Sequence, residues 1–492
     1  MLDARLAIPA AVAWVATAVV IGLRVEVVVV AAALWAAAGV CVVVSLRVGL
    51  VAVVALALAT AALCVTSVAI QSPSRYPEAV TDVVESHRSA RVELAATESV
   101  IPGARSFEAR LLRVNEVTVD VPVIVFGGAP DRRAEVGDTL SATASIAPTD
   151  LGDDRAFLVF PDGEVEYEGP APEWIRWAGE LRAAFRDHAA GLPGSGGRLL
   201  SGLAIGDTTL VDDQLDAAMK SSSLSHLTAV SGANCAIVIG LVLLVGGVAG
   251  LPRGLRVGVA LVVLVGFVVL VTPEPSVLRA AVMAAIALVT YGLGRPVRGI
   301  PVVSLAVVAL LVADPWMARS YGFVLSVLAT AGLMVLAGPL TAVLGRFLPR
   351  WLALVVAVPL AAQLACQPVV VLLSASLPTY GVVANVLAAP AAPVATIVGL
   401  AGCLLLLPFP LLGALLCDVA WLPSAWIAAV AEFFAGLPAA QLPWPEGAGG
   451  VALLAAMTVL AGMRILLDAA AAKTAGLDAA ARHAVIVVHP LD

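Results

Sequence analysis

The chain has 492 residues, 61% of them hydrophobic and only 13% charged, with a mean hydropathy of +1.01. A soluble protein of this length would carry about 25% charged residues, so the composition excludes a soluble fold and specifies a polytopic membrane protein. The net charge of −7 is concentrated in one insert and a few loops; the six cysteines lie in apolar segments and the five histidines are scattered, so no disulfide framework, metal centre or cofactor is expected.

Three apolar runs open the chain, at 6–23, 25–46 and 48–70, each near the ~20 residues that a spanning helix needs. The first lacks a small-residue cleavage site followed by a polar mature region and reads as an anchor. Arg5 and Arg47 fall on one side of these spans and Arg24 on the other, beside Glu26, which favours a cytoplasmic N-terminus. Residues 1–70 are therefore expected as transmembrane helices, and 71–172 as an extracytoplasmic insert. The insert alternates in the strand manner at 91–97, 107–114, 118–126, 138–146 and 156–160, with turn signals such as Gly127-Gly128 and Pro161-Asp162-Gly163 between the runs. Five short strands in about a hundred residues predict a small β-barrel, with an OB-like barrel as one form. It carries 18 acidic side chains against nine Arg and no Lys, whereas a nucleic-acid groove is expected to be basic. Arg105, Arg110, Arg113, Arg132 and Arg133 could still form local patches, so a structural or docking barrel and a DNA-binding barrel both stand.

Residues 173–224 are expected as interfacial amphipathic helices and a linker. Over 173–190, Trp174, Trp177, Leu181, Phe185 and His188 recur at helical spacing, while Arg176, Arg182 and Arg186 occupy other faces. Such a helix fits a membrane interface; the competing reading is a helix packed on the barrel. G-L-P-G-S-G-G (191–197) reads as a flexible linker, and a short amphipathic helix is expected around 211–223.

From 225 to 467 the chain is nearly all membrane, with spans expected at 225–250, 255–271, 277–293, 299–313, 321–341, 351–373, 381–407, 411–436 and 449–467. Alternate loops carry Arg253 and Arg256, Arg295 and Arg298, then Arg346 and Arg350, against Arg319 alone on the other side. This six-to-one bias places 225–250 running inward from an external insert. Segment 299–313 spans only about 22 Å as a helix, and 381–407 is interrupted by Pro390 and Pro393, so some of the 11–12 segments are expected to be broken or re-entrant.

Polar side chains at membrane depth are functional-site candidates. S-H-L-T-A-V-S-G-A-N (225–234) places His226, Thr228, Ser231 and Asn234 at the start of a span, with Gly232 allowing close helix approach. On one helix, His226 and Ser231 would diverge by about 140°, which excludes a nucleophile–base pair. Arg279 lies near the outer end of its span, where it can snorkel, contact a phosphate, or pair with Asp207 or Asp314. Ser326, Gln363, Gln367 and Asn385 are further polar groups at span depth, and Gln363 and Gln367 share a helix face. Each alone fits interhelical hydrogen bonding; together they read as the lining of one hydrated path.

In order, these motifs resemble the ComEC family of competence proteins: Gly206-Asp207, then His226-Leu227 through Ser231-Gly232-Ala233-Asn234, then Arg279-Ala280, G-F-V-L-S-V-L-A-T-A-G-L from Gly322, Gln363 to Pro368, and Asn385 to Pro390. The resemblance implies a cytoplasmic-membrane channel that carries single-stranded DNA inward during natural transformation. Asn234 stands where the family often has a second His, which favours a polar lining over a catalytic or metal role. Many members continue into a metallo-β-lactamase-like nuclease with H-x-H-x-D-H; the tail 468–492 holds no such motif, so no enzymatic activity is expected of this chain. No P-loop is present. The implied partners are therefore single-stranded DNA, the lipid bilayer, a periplasmic or surface DNA receptor, a cytoplasmic ATP-driven translocase and a separate nuclease. A secondary transporter or exporter of a small anionic or lipid-linked substrate, or a membrane scaffold, are the competing functions.

Overall fold

The structure is a computed structural model that describes residues 5–45, 51–228, 232–271, 275–295 and 299–487. The chain divides into two compact units. The first comprises Met1–Asp216, His226–Val324 and Ala391–Ala429; the second comprises Ala217–Ser225, Leu325–Pro390 and Val430–Asp492.

In the first unit, α1 (Ala7–Ile21) and α2 (Val27–Ser45) both pack on α3 (Val51–Arg75) in an apolar bundle. A short helix α4 (Glu78–Ser86) leads into β1 (Ala90–Ala96), β2 (Ser106–Val114), β3 (Val117–Phe126), β4 (Thr139–Pro148), β5 (Phe157–Pro161) and β6 (Glu166–Gly169). The first five strands fall where the alternation predicts them. Their order is β1-β2-β3-β5-β4, and a β1–β4 pairing closes the circuit into a barrel. Only β3 and β5 run parallel. This is a closed OB-like barrel. Its core follows from period-2 patterning: Val121, Val123 and Val125 of β3 and Leu94, Leu111, Leu140 and Val159 of the other strands are fully buried, while Val80 of α4 joins the same cluster.

Two arginines tie the barrel to the helices of this unit. Arg75, at the end of α3, lies over the Trp316 ring at 4.3 Å and donates to the carbonyls of Asp153 (2.9 Å) and Asp154 (2.8 Å). Arg319 donates to the carbonyl of Leu151 (2.8 Å). The acidic β4–β5 loop is thus held through its backbone by cations placed outside the barrel.

The remaining helices of this unit are α5 (Glu173–Ala190), α6 (Gly194–Ile205), α8 (Gly232–Val248), α9 (Arg253–Val271), α10 (Pro275–Gly292), α11 (Gly299–Ala313) and α15 (Ala391–Leu406), with the start of α16 (Pro410–Ala435). One apolar cluster joins α5 and α6 to α8, α9, α10, α15 and α16. The expected linker at 191–197 is therefore corrected: Gly194–Gly197 form the first turn of α6. A Cβ on Gly196 would stand 2.7 Å from the Ala425 Cα, and one on Gly399 would stand 2.9 Å from the Ala204 methyl. Glycine serves here as the residue that lets two backbones meet, not as a source of slack.

The second unit contains the end of α7 (Asp213–Ser221), most of α12 (Tyr321–Leu344), α13 (Arg350–Leu373), α14 (Gly381–Ala388), the end of α16 and α17 (Gly447–Val487). Short strands β7 (Ser376–Pro378) and β8 (Gln441–Pro443) pair antiparallel. The span expected at 381–407 is broken, with α14 ending before Pro390. Proline cannot donate the next ladder bond and clashes with the preceding turn. Among the described residues, seven helices are long and apolar enough to cross a membrane, or eight if the bent α14–α15 pair is one span, and α1, α8, α10 and α11 are shorter apolar helices. All twelve segments expected from the sequence are helical, and the chain is a polytopic α-helical membrane protein with a β-barrel insert.

Candidate functional site

The candidate residues fall into two groups, one within each unit. In the first unit, the expectation of one continuous helix through 226–234 is corrected. Ser225–Leu227 is a single 3-10 turn with His226 exposed, and α8 begins only at Gly232. Thr228 is half-buried and packs its methyl on Gly202 of α6. Ser231 lies outside the described residues. Gly232 faces Ala280 on α10, where a Cβ would be 3.5 Å from the alanine methyl. Two residues further on, Asn234 is buried on α8, and Arg279, beside Ala280, is buried on α10. The small residues at 232 and 280 bring the two helices together where their polar side chains lie. Arg279 donates to the Met283 sulfur (3.0 Å). Neither carboxylate offered by the sequence is its partner: Asp314 caps the following 3-10 turn through the Trp316 N–H, and Asp207 is engaged elsewhere.

Asp207 belongs to a buried charge cluster. Gly206 ends α6 in the left-handed conformation (φ +79°), with its N–H on the Gly202 carbonyl, as a helix C-cap requires. Asp207 then accepts from the Thr209 N–H (3.0 Å) and hydroxyl (2.6 Å) through one oxygen. Its other oxygen takes Nη1 of Arg186 at 2.6 Å. Arg186 Nη2 pairs with Glu135 of the β3–β4 loop, and Arg182 Nε stands 3.8 Å from the same carboxylate. Nη1 of Arg182 reaches the carbonyls of Val269 and Leu270 at 3.2 Å each. Those carbonyls end α9 and lack intrahelical donors, so the guanidinium both satisfies them and meets the negative end of the helix dipole.

Arg182 and Arg186 are thus corrected from an interfacial position to a buried one, at 2% and 0% exposure. Burial lowers the proton affinity of Arg182 despite Glu135. Burial opposes the charge on Arg186 as well, but Asp207 and Glu135 hold its proton more tightly than usual. Asp207 is therefore a structural carboxylate and not a group open to a conduit. On the same helix, Trp174 and Trp177 are exposed, and Arg176 donates to the Ala171 carbonyl.

In the second unit, Gln363 and Asn385 both lie at Gly381, while Gln367 bonds elsewhere. Asn385 of α14 donates to the carbonyls of Gly381 (2.8 Å) and Ser223 (3.1 Å). Ser223 has a left-handed backbone (φ +61°), uncommon outside glycine. The Gln363 carbonyl oxygen lies 3.4 Å from where a Cβ on Gly381 would stand, so that glycine leaves room for the amide. Gln367 is buried and donates to the Ser376 carbonyl (3.4 Å). Ser326 is half-buried on α12, with its carbonyl accepting from Thr330.

Sequence reasoning missed Glu135, Ser223 and Arg75. Only Ser223 had a signal, its place in a run of three serines before the spans; Glu135 is one acid among many in an acidic insert.

Compared with known proteins, residues 203–469 match a family model described as Competence protein. No curated protein and no solved structure matches the chain.

Proposed function

The chain belongs to the competence protein family, and on that premise we propose that it is a membrane channel passing single-stranded DNA inward during natural transformation. Family membership supports a role in DNA uptake. The observation that carries the channel reading is the burial of Asn234 and Arg279 on α8 and α10, apolar helices with no other charged side chain between Gly232 and Val248 or Ser276 and Gly292. A guanidinium at membrane depth costs several kcal/mol unless it serves a polar ligand or partner. Within the first unit, Arg279 would meet phosphates, and the Asn234 amide would replace water around phosphate and base. The helix breaks before Pro390, and broken helices are a form that lines transport paths in membrane proteins.

The chain supplies passage without covalent chemistry. A surface or periplasmic receptor would deliver the strand, an ATP-driven cytoplasmic translocase would pull it, and a separate nuclease would remove its complement. Complementation of a deletion strain tests the reading. Arg279→Ala and Asn234→Leu are each expected to reduce internalised DNA roughly 10- to 100-fold, the loss of one charge-assisted hydrogen bond, with normal membrane levels and normal DNA binding at the cell surface. Unchanged uptake in both variants would remove the assignment. Normal transformation in the deletion strain, with a small anionic solute mishandled, would replace the channel by a transporter.

A further inference from the structure

Within the first unit, the end of α8, the start of α9 and the end of α10 meet. α8 closes on Gly250 (φ +71°), with the Leu251 N–H on the Gly246 carbonyl (2.9 Å) and the Gly250 N–H on the Gly247 carbonyl (3.1 Å). α10 closes in the same way on Gly294 (φ +73°), with the Arg295 N–H on the Thr290 carbonyl (3.1 Å) and the Gly294 N–H on the Tyr291 carbonyl (3.0 Å). Both helices thus cap these carbonyls with backbone alone and do not need the neighbouring arginines for it.

Those arginines are placed by packing. Arg253, the first residue of α9, lies over the Tyr291 ring at 4.7 Å from its centroid, and its Nη1 is 3.3 Å from where a Cβ on Gly294 would stand. Arg256, one turn on along α9, runs over Gly246 and Gly247: a Cβ on the first would be 2.9 Å from its Cγ, and one on the second 3.2 Å from its Nη1. Arg295 follows Gly294 and is exposed. None of the three side chains has a carboxylate partner among the described residues, and Arg256 Nε is buried with no hydrogen-bond partner there. From 217 to 313 the chain holds one acidic residue, Glu274, which follows the far end of α9. Helix dipoles do not cancel the charge: α8 and α10 each offer about half a negative charge, α9 half a positive one, and about 2.5 positive charges remain. The barrel differs. There Arg110 pairs with Asp120, Arg113 with Glu93 and Arg133 with Asp187, while Arg132 lies over Tyr167, so the basic patches expected from the sequence are absent at these positions.

The residues that border the three arginines identify the ligand class. Val248 at the end of α8, Leu255 between the two α9 arginines and Leu293 beside Gly294 are 85%, 50% and 69% exposed. Val245 and Val259 continue this apolar surface along the helices. Fixed guanidinium groups at the rim of exposed aliphatic side chains fit a molecule with an anionic head and apolar tails. A nucleic acid or an acidic peptide would meet the charges and leave the aliphatic rim in water.

We propose that Arg253, Arg256 and Arg295 form a headgroup site for an anionic phospholipid, whose acyl chains lie on Val248, Leu255 and Leu293. The guanidinium forks grip the phosphate oxygens, and the lipid ties together the ends of three helices, two of which carry Asn234 and Arg279. By the positive-inside bias, the lipid belongs to the inner leaflet.

The test is native mass spectrometry of the detergent-purified full chain, titrated separately with phosphatidylglycerol and with phosphatidylcholine of the same acyl chains. Wild type is expected to bind its first phosphatidylglycerol at least about tenfold more tightly than its first phosphatidylcholine. Arg253→Gln/Arg256→Gln/Arg295→Gln should bring the two lipids level and leave phosphatidylcholine binding unchanged. Arg253→Gln and Arg295→Gln alone, each expected to weaken phosphatidylglycerol about fivefold, guard against a misfolded triple variant. Glycerophosphoglycerol, the same headgroup without chains, should compete poorly. Equal affinity for phosphatidylglycerol in wild type and all three variants overturns the site. The same loss in Arg346→Gln/Arg350→Gln does so too, because attraction would then be diffuse. Competition by glycerophosphoglycerol as strong as that of the lipid would mark a free phosphate site, and displacement of the lipid by equimolar dT20 a nucleic-acid site; either removes the lipid assignment. None of these readouts involves uptake, so the lipid site stands or falls apart from the channel reading.

Discussion

Arg182 and Arg186, one turn apart on α5, join a barrel loop, a helix C-cap turn and the end of α9. Two guanidinium groups and two carboxylates balance in charge, and removing one partner leaves an uncompensated buried ion at a cost of about 3–5 kcal/mol. Asp207→Leu or Arg186→Leu alone should therefore lower the thermal midpoint of the detergent-purified chain strongly. The double variant removes one charge of each sign and leaves Arg182 with Glu135. Its loss should be clearly smaller than the sum of the two, and additive losses would show that the ions act independently. The helix carrying these arginines was legible at its residue spacing, with both ends as expected, but their burial was not. Glu135 lies 51 residues before Arg186, and nothing local distinguishes it from its acidic neighbours.

At the scale of elements, close approach decides which segments are rigid. A Cβ on Gly196 would meet the Ala425 backbone at 2.7 Å, and one on Gly413 would meet the Leu406 Cα at 2.4 Å. Both contacts are with backbone, which cannot turn aside as a side chain can. Gly196→Ala and Gly413→Ala should each cost about 1–3 kcal/mol by overpacking. Gly258, inside α9, has nothing within 4 Å of the position its Cβ would take; Gly258→Ala should stabilise by about 0.5–1 kcal/mol through helix propensity alone. Thermal midpoints of the three variants check the ordering, and a destabilising Gly258→Ala would contradict it. A glycine-rich stretch reads as flexible from composition because the same residue serves slack and tight contact, and only the neighbour across the gap tells them apart.

At the scale of the whole molecule, loop charges and the pairing of distant loops bear on the side of the membrane from which the C-terminal tail leaves. β7 and β8 pair, so the loops before α14 and after α16 share one face whether the intervening helices cross the membrane or re-enter it. At the other end of α13, Arg346 donates to the carbonyl of Asp468 on α17 (2.9 Å). Asp468 of α17 thus lies beside Arg346, and we propose, from the positive-inside bias, that this end of the second unit is cytoplasmic. Cysteines introduced at Asp131 in the barrel and Gln441 in β8 should react with a membrane-impermeant maleimide in intact cells, and Lys473→Cys only after permeabilisation. Equal labelling of Gln441→Cys and Lys473→Cys would overturn this topology. By itself, the sequence determined what depends on neighbours along the chain: twelve apolar helices from length, a barrel from period-2 alternation, the break at Pro390, and the family from motifs in order. Tertiary structure alone decided what depends on neighbours across space: that Asp207 is an anchor, that three of the five barrel arginines singled out are paired and a fourth lies over a tyrosine, and that Asn385 reaches Ser223. The physical reason is that periodicity and sterics act over a few residues, whereas a buried charge or amide is defined by a partner that folding brings from far away.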